Sequence, residues 1–133
     1  MKILVVDDSK FSRKRVVSAI AELGYEIFQA GDGAEGFAIF EQMQPDLVVS
    51  DLLMPNVDGI GLLKMIRESG SQTPVIVVSA DIQESSQTIC SKLGIVTFLN
   101  KPFKPAQLQD AVKGALNSAN NGVVAQKTEV NND

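Results

Sequence analysis

The chain has 133 residues, 44% of them hydrophobic and 21% charged, which fits a single soluble globular domain with a proper core. Its formal net charge of -4 argues against non-specific nucleic-acid binding, which needs a basic face. With no His, a His-based triad and a His-ligated zinc site within this chain are excluded; with a single cysteine, Cys90, so is an internal disulfide. No apolar run approaches the roughly 20 residues of a membrane span. Charge comes early, at Lys2, Asp7 and Asp8, which does not suit a signal peptide, so the expected location is cytoplasmic.

Ile3 to Val6 is a short apolar run and predicts a first strand, followed at once by Asp7 and Asp8. Ser9 suits the cap of a helix from about Lys10 to Leu23, with Phe11, Val16, Ile20 and Leu23 in its core-facing stripe. Gly24 suits the left-handed residue just past that helix. Tyr25 to Ala30 predicts a second strand, Gly31-Asp32-Gly33 a turn, and Ala34 to Met43 a helix with Phe37 and Phe40 on its apolar side.

Pro45-Asp46 leads into a third strand, Leu47 to Ser50, from which Asp51 emerges. Two turns follow, at Met54-Pro55 and Asp58-Gly59. Ile60, Leu63 and Ile66 then recur at helical spacing until Ser69-Gly70. Pro74 to Ser79 predicts a fourth strand, residues 83 to 92 a polar helix closed by Gly94, and Ile95 to Leu99 a fifth strand. After Lys101-Pro102-Phe103 comes a helix from about Pro105 to Leu116, with Leu108, Val112 and Leu116 in its stripe. Beyond it the pattern stops, so the expected division is a domain over 1–117 and a disordered or loosely attached tail over 118–133.

Strands alternating with helices imply an α/β fold, a parallel sheet with right-handed crossovers and helices on both faces. All strand ends of one polarity then share an edge, and ligands bind there. Strand one leads to Asp7 and Asp8, strand three to Asp51, strand four to Ser79, strand five to Lys101. Three carboxylates in one cleft repel each other and call for a counter-charge. A hard cation such as Mg²⁺ takes oxygen ligands of this kind, with Asp8 and Asp51 direct and Asp7 direct or through water. Lys101 adds a fixed positive charge and Ser79 a hydroxyl donor. A phosphoryl group on Asp51 would have metal and lysine as neighbours, the positioning and charge stabilisation that phosphoryl transfer needs. Singly, each of these residues is as well explained as a helix cap, a turn aspartate or a solvated loop; their common place at strand ends is what carries chemistry.

In order and spacing, Val5-Val6-Asp7-Asp8-Ser9, Gly31-Asp32-Gly33, Asp51-Leu52-Leu53-Met54-Pro55 with Asp58-Gly59, Ser79-Ala80 and Lys101-Pro102-Phe103 resemble the receiver domains of two-component response regulators, especially the single-domain CheY-like type, over about residues 1 to 117. The resemblance implies a flavodoxin-like, doubly wound five-stranded sheet in the order 2-1-3-4-5. It implies Asp51 as phosphoacceptor, and Asp7, Asp8, Asp51 and the Leu53 backbone carbonyl around Mg²⁺. Ser79 takes the hydroxyl place, Lys101 pairs with the phosphoryl group and its bond to Pro102 is cis, and Phe98 takes the aromatic switch position.

It also implies a histidine kinase or phosphotransfer protein as phosphodonor, a phosphatase as a further candidate partner, and a downstream protein reached through the fourth helix, fifth strand and last helix. No nucleic acid or membrane is expected, and the protein would be a monomer or weak dimer. The lysine and arginines at 13 to 15 read as a solvated face or as a docking site for the kinase or phosphatase. About 16 residues follow the last predicted helix, fewer than the roughly 40 of an independent domain. Output is therefore expected as a change of protein contact, in chemotaxis or a phosphorelay. Two other readings remain at this level: a degenerate receiver acting only as a binding module, and an aspartate-nucleophile phosphatase. Filled acceptor, metal and lysine positions oppose the first. Leu53, where the phosphatases place a second Asp, opposes the second.

Overall fold

The computed structural model describes residues 1–125 apart from Ile82, with side chains described to Ser118. Five strands alternate with five helices: β1 Lys2–Val6, α1 Lys10–Ala21, β2 Glu26–Ala30, α2 Gly33–Met43, β3 Leu47–Ser50, α3 Gly59–Glu68, β4 Val75–Ser79, α4 Glu84–Lys92, β5 Thr97–Asn100 and α5 Pro105–Ala125. All strand pairs are parallel and the sheet order is β2-β1-β3-β4-β5, as the resemblance implied.

The apolar runs are buried on both faces, which is why they show no alternation in sequence. Ile3, Val5, Leu47, Val49, Ile76 and Val78 face one way, against Val16 and Ile20 of α1 and Leu108, Val112 and Leu116 of α5. Leu4, Val6, Val48, Val75 and Val77 face the other, against Phe40 of α2, Leu62, Leu63 and Ile66 of α3 and Cys90 of α4. Each fully buried aliphatic side chain contributes about 1.5–3 kcal/mol, so this two-sided core fixes strand order and register.

Local signals set the helix starts. The Ser9 side chain accepts the Ser12 N–H at 3.2 Å, Asp32 the Glu35 N–H at 2.8 Å and Asp58 the Gly61 N–H at 2.8 Å. Glu35 reaches back to the Gly31 N–H at 2.7 Å, completing a reciprocal cap. Gly24, just beyond α1, has φ +82°, the left-handed conformation expected there.

Three expectations change. Phe11 is not in the α1 core stripe: it is 72% exposed, because α1 turns Val16, Ala19 and Ile20 inward. The fifth strand begins at Thr97, not Ile95, since pairing to β4 begins at Ile76↔Thr97. α5 continues to Ala125 rather than stopping near Leu116, so the first part of the expected loose tail is helical; residues 126–133 lie outside the described residues. Asn, Ser and Gly lower helix propensity from Asn117 onward without forbidding the helix from propagating.

Gly59 joins fold and site. Its N–H donates to the Leu52 carbonyl at 3.0 Å, and a Cβ built on it would lie 2.1 Å from the Asp51 carbonyl oxygen. Backbone cannot yield there as a flexible side chain would. Gly59→Ala is expected to lower stability by about 2–3 kcal/mol, read as a shift of the urea midpoint; an unchanged midpoint would show that the loop after β3 is free to move away.

Candidate functional site

β1 and β3 are neighbours, and the sheet is wound in opposite directions on either side of them. The carboxyl edge here is the crevice in which such folds bind ligands. Val6 pairs with Ser50, so the next residue of each strand, Asp7 and Asp51, leaves the sheet at the same level. The Asp51 N–H donates to the Val6 carbonyl at 3.0 Å, carrying the ladder one step into the site. Asp7 is 2% exposed and Asp51 8%, while Asp8 is exposed.

Buried carboxylates need partners. Lys101 Nζ, arriving from the end of β5, donates to Asp51 Oδ2 at 2.9 Å and Asp7 Oδ2 at 3.1 Å. The second oxygen of each carboxylate is held by backbone. Asp51 Oδ1 accepts the Leu52 and Leu53 N–H groups at 2.7 and 3.3 Å, and Asp7 Oδ1 the Ser9 N–H at 3.0 Å. For Lys101, burial favours the neutral form, but hydrogen bonds and charge from Asp51, and then Asp7, outweigh it and hold the ammonium above its ordinary value.

The Asp8 carboxylate takes no protein hydrogen bond among the described residues. One carboxylate oxygen from each of Asp7, Asp8 and Asp51 lies within 4.8 Å of the others. Three anionic oxygens this close, one of them free of protein donors, form the hard donor set that suits a small divalent cation completed by water. The sequence expectation of a shared edge is met here: Asp7, Asp8, Asp51 and Lys101 meet although Asp7 and Lys101 stand 94 residues apart.

Ser79, fully buried at the end of β4, joins through backbone, its carbonyl accepting the Lys101 N–H at 2.9 Å. Its Oγ accepts the Asp81 N–H at 3.1 Å, which leaves the hydroxyl proton to donate elsewhere. The Lys101–Pro102 bond is cis. Leu53 lies in the loop after Asp51 with its side chain 59% exposed. Phe98 is not in the carboxylate cluster: it lies within β5, opposite Val77, half-buried against the core on the α2–α4 face.

Sequence reading overlooked several supports. The Arg13 guanidinium donates to the Asp7 carbonyl and, through Nε, to Gln29 at 3.1 Å, fixing the turn after β1 from the side. Gly33, whose N–H donates to the Val57 carbonyl at 3.0 Å, could not carry a Cβ, which would lie 2.4 Å from that oxygen. The Gly31-Asp32-Gly33 and Asp58-Gly59 motifs are therefore frame for the loop that follows Asp51, and their glycines are the sequence signal for it. An open concavity of about 440 Å³ lies beside Lys101, between α1 and the β5–α5 loop, lined by Phe11, Ser12, Arg15, Ala80, Pro102 and Phe103 among others.

The family model for the response regulator receiver domain matches residues 3–113. The chemotaxis protein CheY of Bacillus subtilis is 33% identical over 117 residues, covering 87% of this chain and 98% of that protein. The alkaline phosphatase synthesis transcriptional regulatory protein PhoP of the same organism is 31% identical over 132 residues, covering 99% of this chain and 54% of that protein. The chain spans about half the length of the transcriptional regulators it matches. The receiver domain of the Francisella response regulator 1452 superposes with a TM-score of 0.81 at 33% identity, over 87% of this chain and 96% of that one.

Lys101 provides a check on the electrostatics. Its folded-state pKa lies above the unfolded one, so its stabilisation is complete below its ordinary 10.5 and fades as pH rises through the raised value. In EDTA, the stability advantage of wild type over Lys101→Met should stay flat to about pH 9 and shrink above about pH 10.5. Urea unfolding across that range measures it; an advantage that grows rather than shrinks above about pH 10.5 would contradict the ion-pair account.

Proposed function

The chain belongs to the response regulator receiver family, and from that premise we propose that it is a switch that carries a phosphoryl group on Asp51. Receivers are signalling phosphoacceptors rather than turnover enzymes, and they bind Mg²⁺ in an acidic pocket. The observation that carries the proposal is the buried Asp51 carboxylate bonded to Lys101, with Asp7 and Asp8 oxygens beside it.

In the proposed reaction an Asp51 carboxylate oxygen attacks the phosphorus of a phosphohistidine. The P–O bond forms, the P–N bond breaks, and the imidazole leaves with its electron pair and takes up a proton. Asp51 is held in line by the Leu52 and Leu53 N–H groups. Lys101 moves from carboxylate partner to phosphoryl partner, stabilising charge on the transferring oxygens. Asp7, Asp8, Asp51 and the Leu53 carbonyl would hold Mg²⁺, which when bound supplies charge neutralisation at the phosphoryl oxygens. Ser79 donates its hydroxyl to a phosphoryl oxygen, and Phe98, half-buried, is the side chain that follows it inward.

The receiver unit is residues 1–117, in the cytoplasm, as a monomer or weak dimer. The phosphodonor, a histidine kinase or phosphotransfer protein, docks over the concavity beside Lys101. That docking is supported by the exposed Phe11 at its rim and by Lys14 and Arg15 on the same helix. A phosphatase would approach the same edge. A downstream protein reads α4, β5 and α5; Ile89 of α4 and Val96, just before β5, are 40% and 48% exposed. The relatives include a chemotaxis protein and transcriptional regulators, which support chemotaxis or transcription control as the output; a phosphorelay is the other route by which such a switch would signal.

Acetyl phosphate with Mg²⁺ should label wild type to one phosphoryl group per chain. Asp51→Asn should take up none while keeping its circular dichroism, and Lys101→Ala should be labelled roughly 10²-fold more slowly. Intact-mass measurement decides it: label retained on Asp51→Asn places the acceptor elsewhere, and catalytic turnover of acetyl phosphate without a stable adduct makes the protein a phosphatase.

A further inference from the structure

α4 is anchored unlike the other helices. α1, α3 and α5 each bury several apolar side chains in the core. α4 buries only Ser86 and Cys90, one turn apart on its inward face. Its carboxyl end is held from outside: the Arg67 guanidinium, projecting from α3, donates to the Leu93 carbonyl at 2.8 Å and the Gly94 carbonyl at 3.3 Å. Its amino end has no such clamp. The residue preceding the helix, Gln83, makes no side-chain cap bond, so the first-turn amides lack the usual acceptor.

One residue takes over that work. The Asp81 carboxylate accepts the Ser86 hydroxyl at 2.6 Å on Oδ2 and the Gln83 N–H at 2.9 Å on Oδ1. These bonds favour the ionised carboxylate and hold it below its ordinary pKa, Ser86 contributing most. The backbone of the same residue is committed in the other direction, its N–H donating to Ser79 Oγ at 3.1 Å. Asp81 therefore touches both the hydroxyl at the carboxyl edge of the sheet and the first turns of the most weakly anchored helix.

We propose that the Asp81 carboxylate and the Ser86 hydroxyl form a latch on the amino end of α4, and that drawing Ser79 toward a phosphoryl group on Asp51 opens it. This rests on the function proposed above. The Asp81 N–H is bonded to Ser79 Oγ at 3.1 Å, so a turn of that side chain toward a phosphoryl oxygen carries the acceptor of this bond with it. Asp81 must then shift, and a short charge-assisted bond at 2.6 Å tolerates little displacement. With the carboxyl end pinned by Arg67, the motion is confined to the amino end. Asp81 is in this account a positioning residue, acting on α4 and through Ser79 without touching the transferred group.

Amide exchange of α4 tests the latch. In unmodified protein, Ser86→Ala and Asp81→Ala should each speed exchange at Gln87 and Thr88 by roughly tenfold, and the double variant should be no faster than either single one. A merely helix-stabilising role would instead make Ser86→Ala slower to exchange, since Ala is the better helix former. Beryllofluoride with Mg²⁺ should bring wild type to the rate of the variants, and Ser86→Ala should bind beryllofluoride without further change in α4. Exchange at the wild-type rate in either single variant, additive effects in the double variant, or bound beryllofluoride with no change in wild-type α4 each overturns the latch. Absence of a protein-bound ¹⁹F signal in wild type overturns the parent reading, and the coupling to Asp51 with it.

Discussion

The bridge from Lys101 to Asp7 and Asp51 is the interaction on which the site depends. It joins residues from the ends of three strands, β1, β3 and β5, and it makes two buried carboxylates tolerable side by side. The backbone donors around it settle the geometry. Leu52, Leu53 and Ser9 N–H groups hold the remaining carboxylate oxygens, so the anions are fixed before any ligand arrives. Such pre-organisation is what phosphoryl transfer asks of a protein, since the transition state needs positioned charge more than covalent help.

The bridge is strong only because the sheet is rigid. Strands buried on both faces give β1, β3 and β4 little freedom, and their ends arrive in register. The loops that carry the reactive groups are constrained by contact with backbone at Gly33 and Gly59, where no side chain fits. Rigidity falls off toward α4, whose inward face offers a serine and a cysteine in place of large aliphatics. Cys90 is fully buried and free, and burial chiefly, with the Asp81 charge second, raises its pKa; it is a packing residue. One molecule thus combines a heavily bonded site with a helix that buries little apolar surface.

Much of this was legible in the chain. The apolar runs named the strands, and every run except the second led to a residue with chemistry, so the alternation of elements placed Asp7, Asp8, Asp51, Ser79 and Lys101 on one edge. Element ends were read less well. Propensity could not show that α5 continues past Leu116, and periodicity put Phe11 inward because an apolar residue on a helix is ordinarily a core residue. Its exposure is decided by how α1 rotates against α5, a tertiary property.

Fold class, the order of the strands and the identity of the charged residues that follow them can be read along the chain, because hydrophobic periodicity and turn chemistry are local. Packing decides that Lys101 reaches both Asp7 and Asp51, that Asp8 is the clustered carboxylate without a donor among the described residues, and that Asp81 links Ser79 to Ser86. These depend on distances between segments far apart in the chain, or on the path of one loop, and no local pattern encodes them. Asp51 was visible as a carboxylate at a strand end; what makes it a candidate acceptor is the company the packed sheet brings to it.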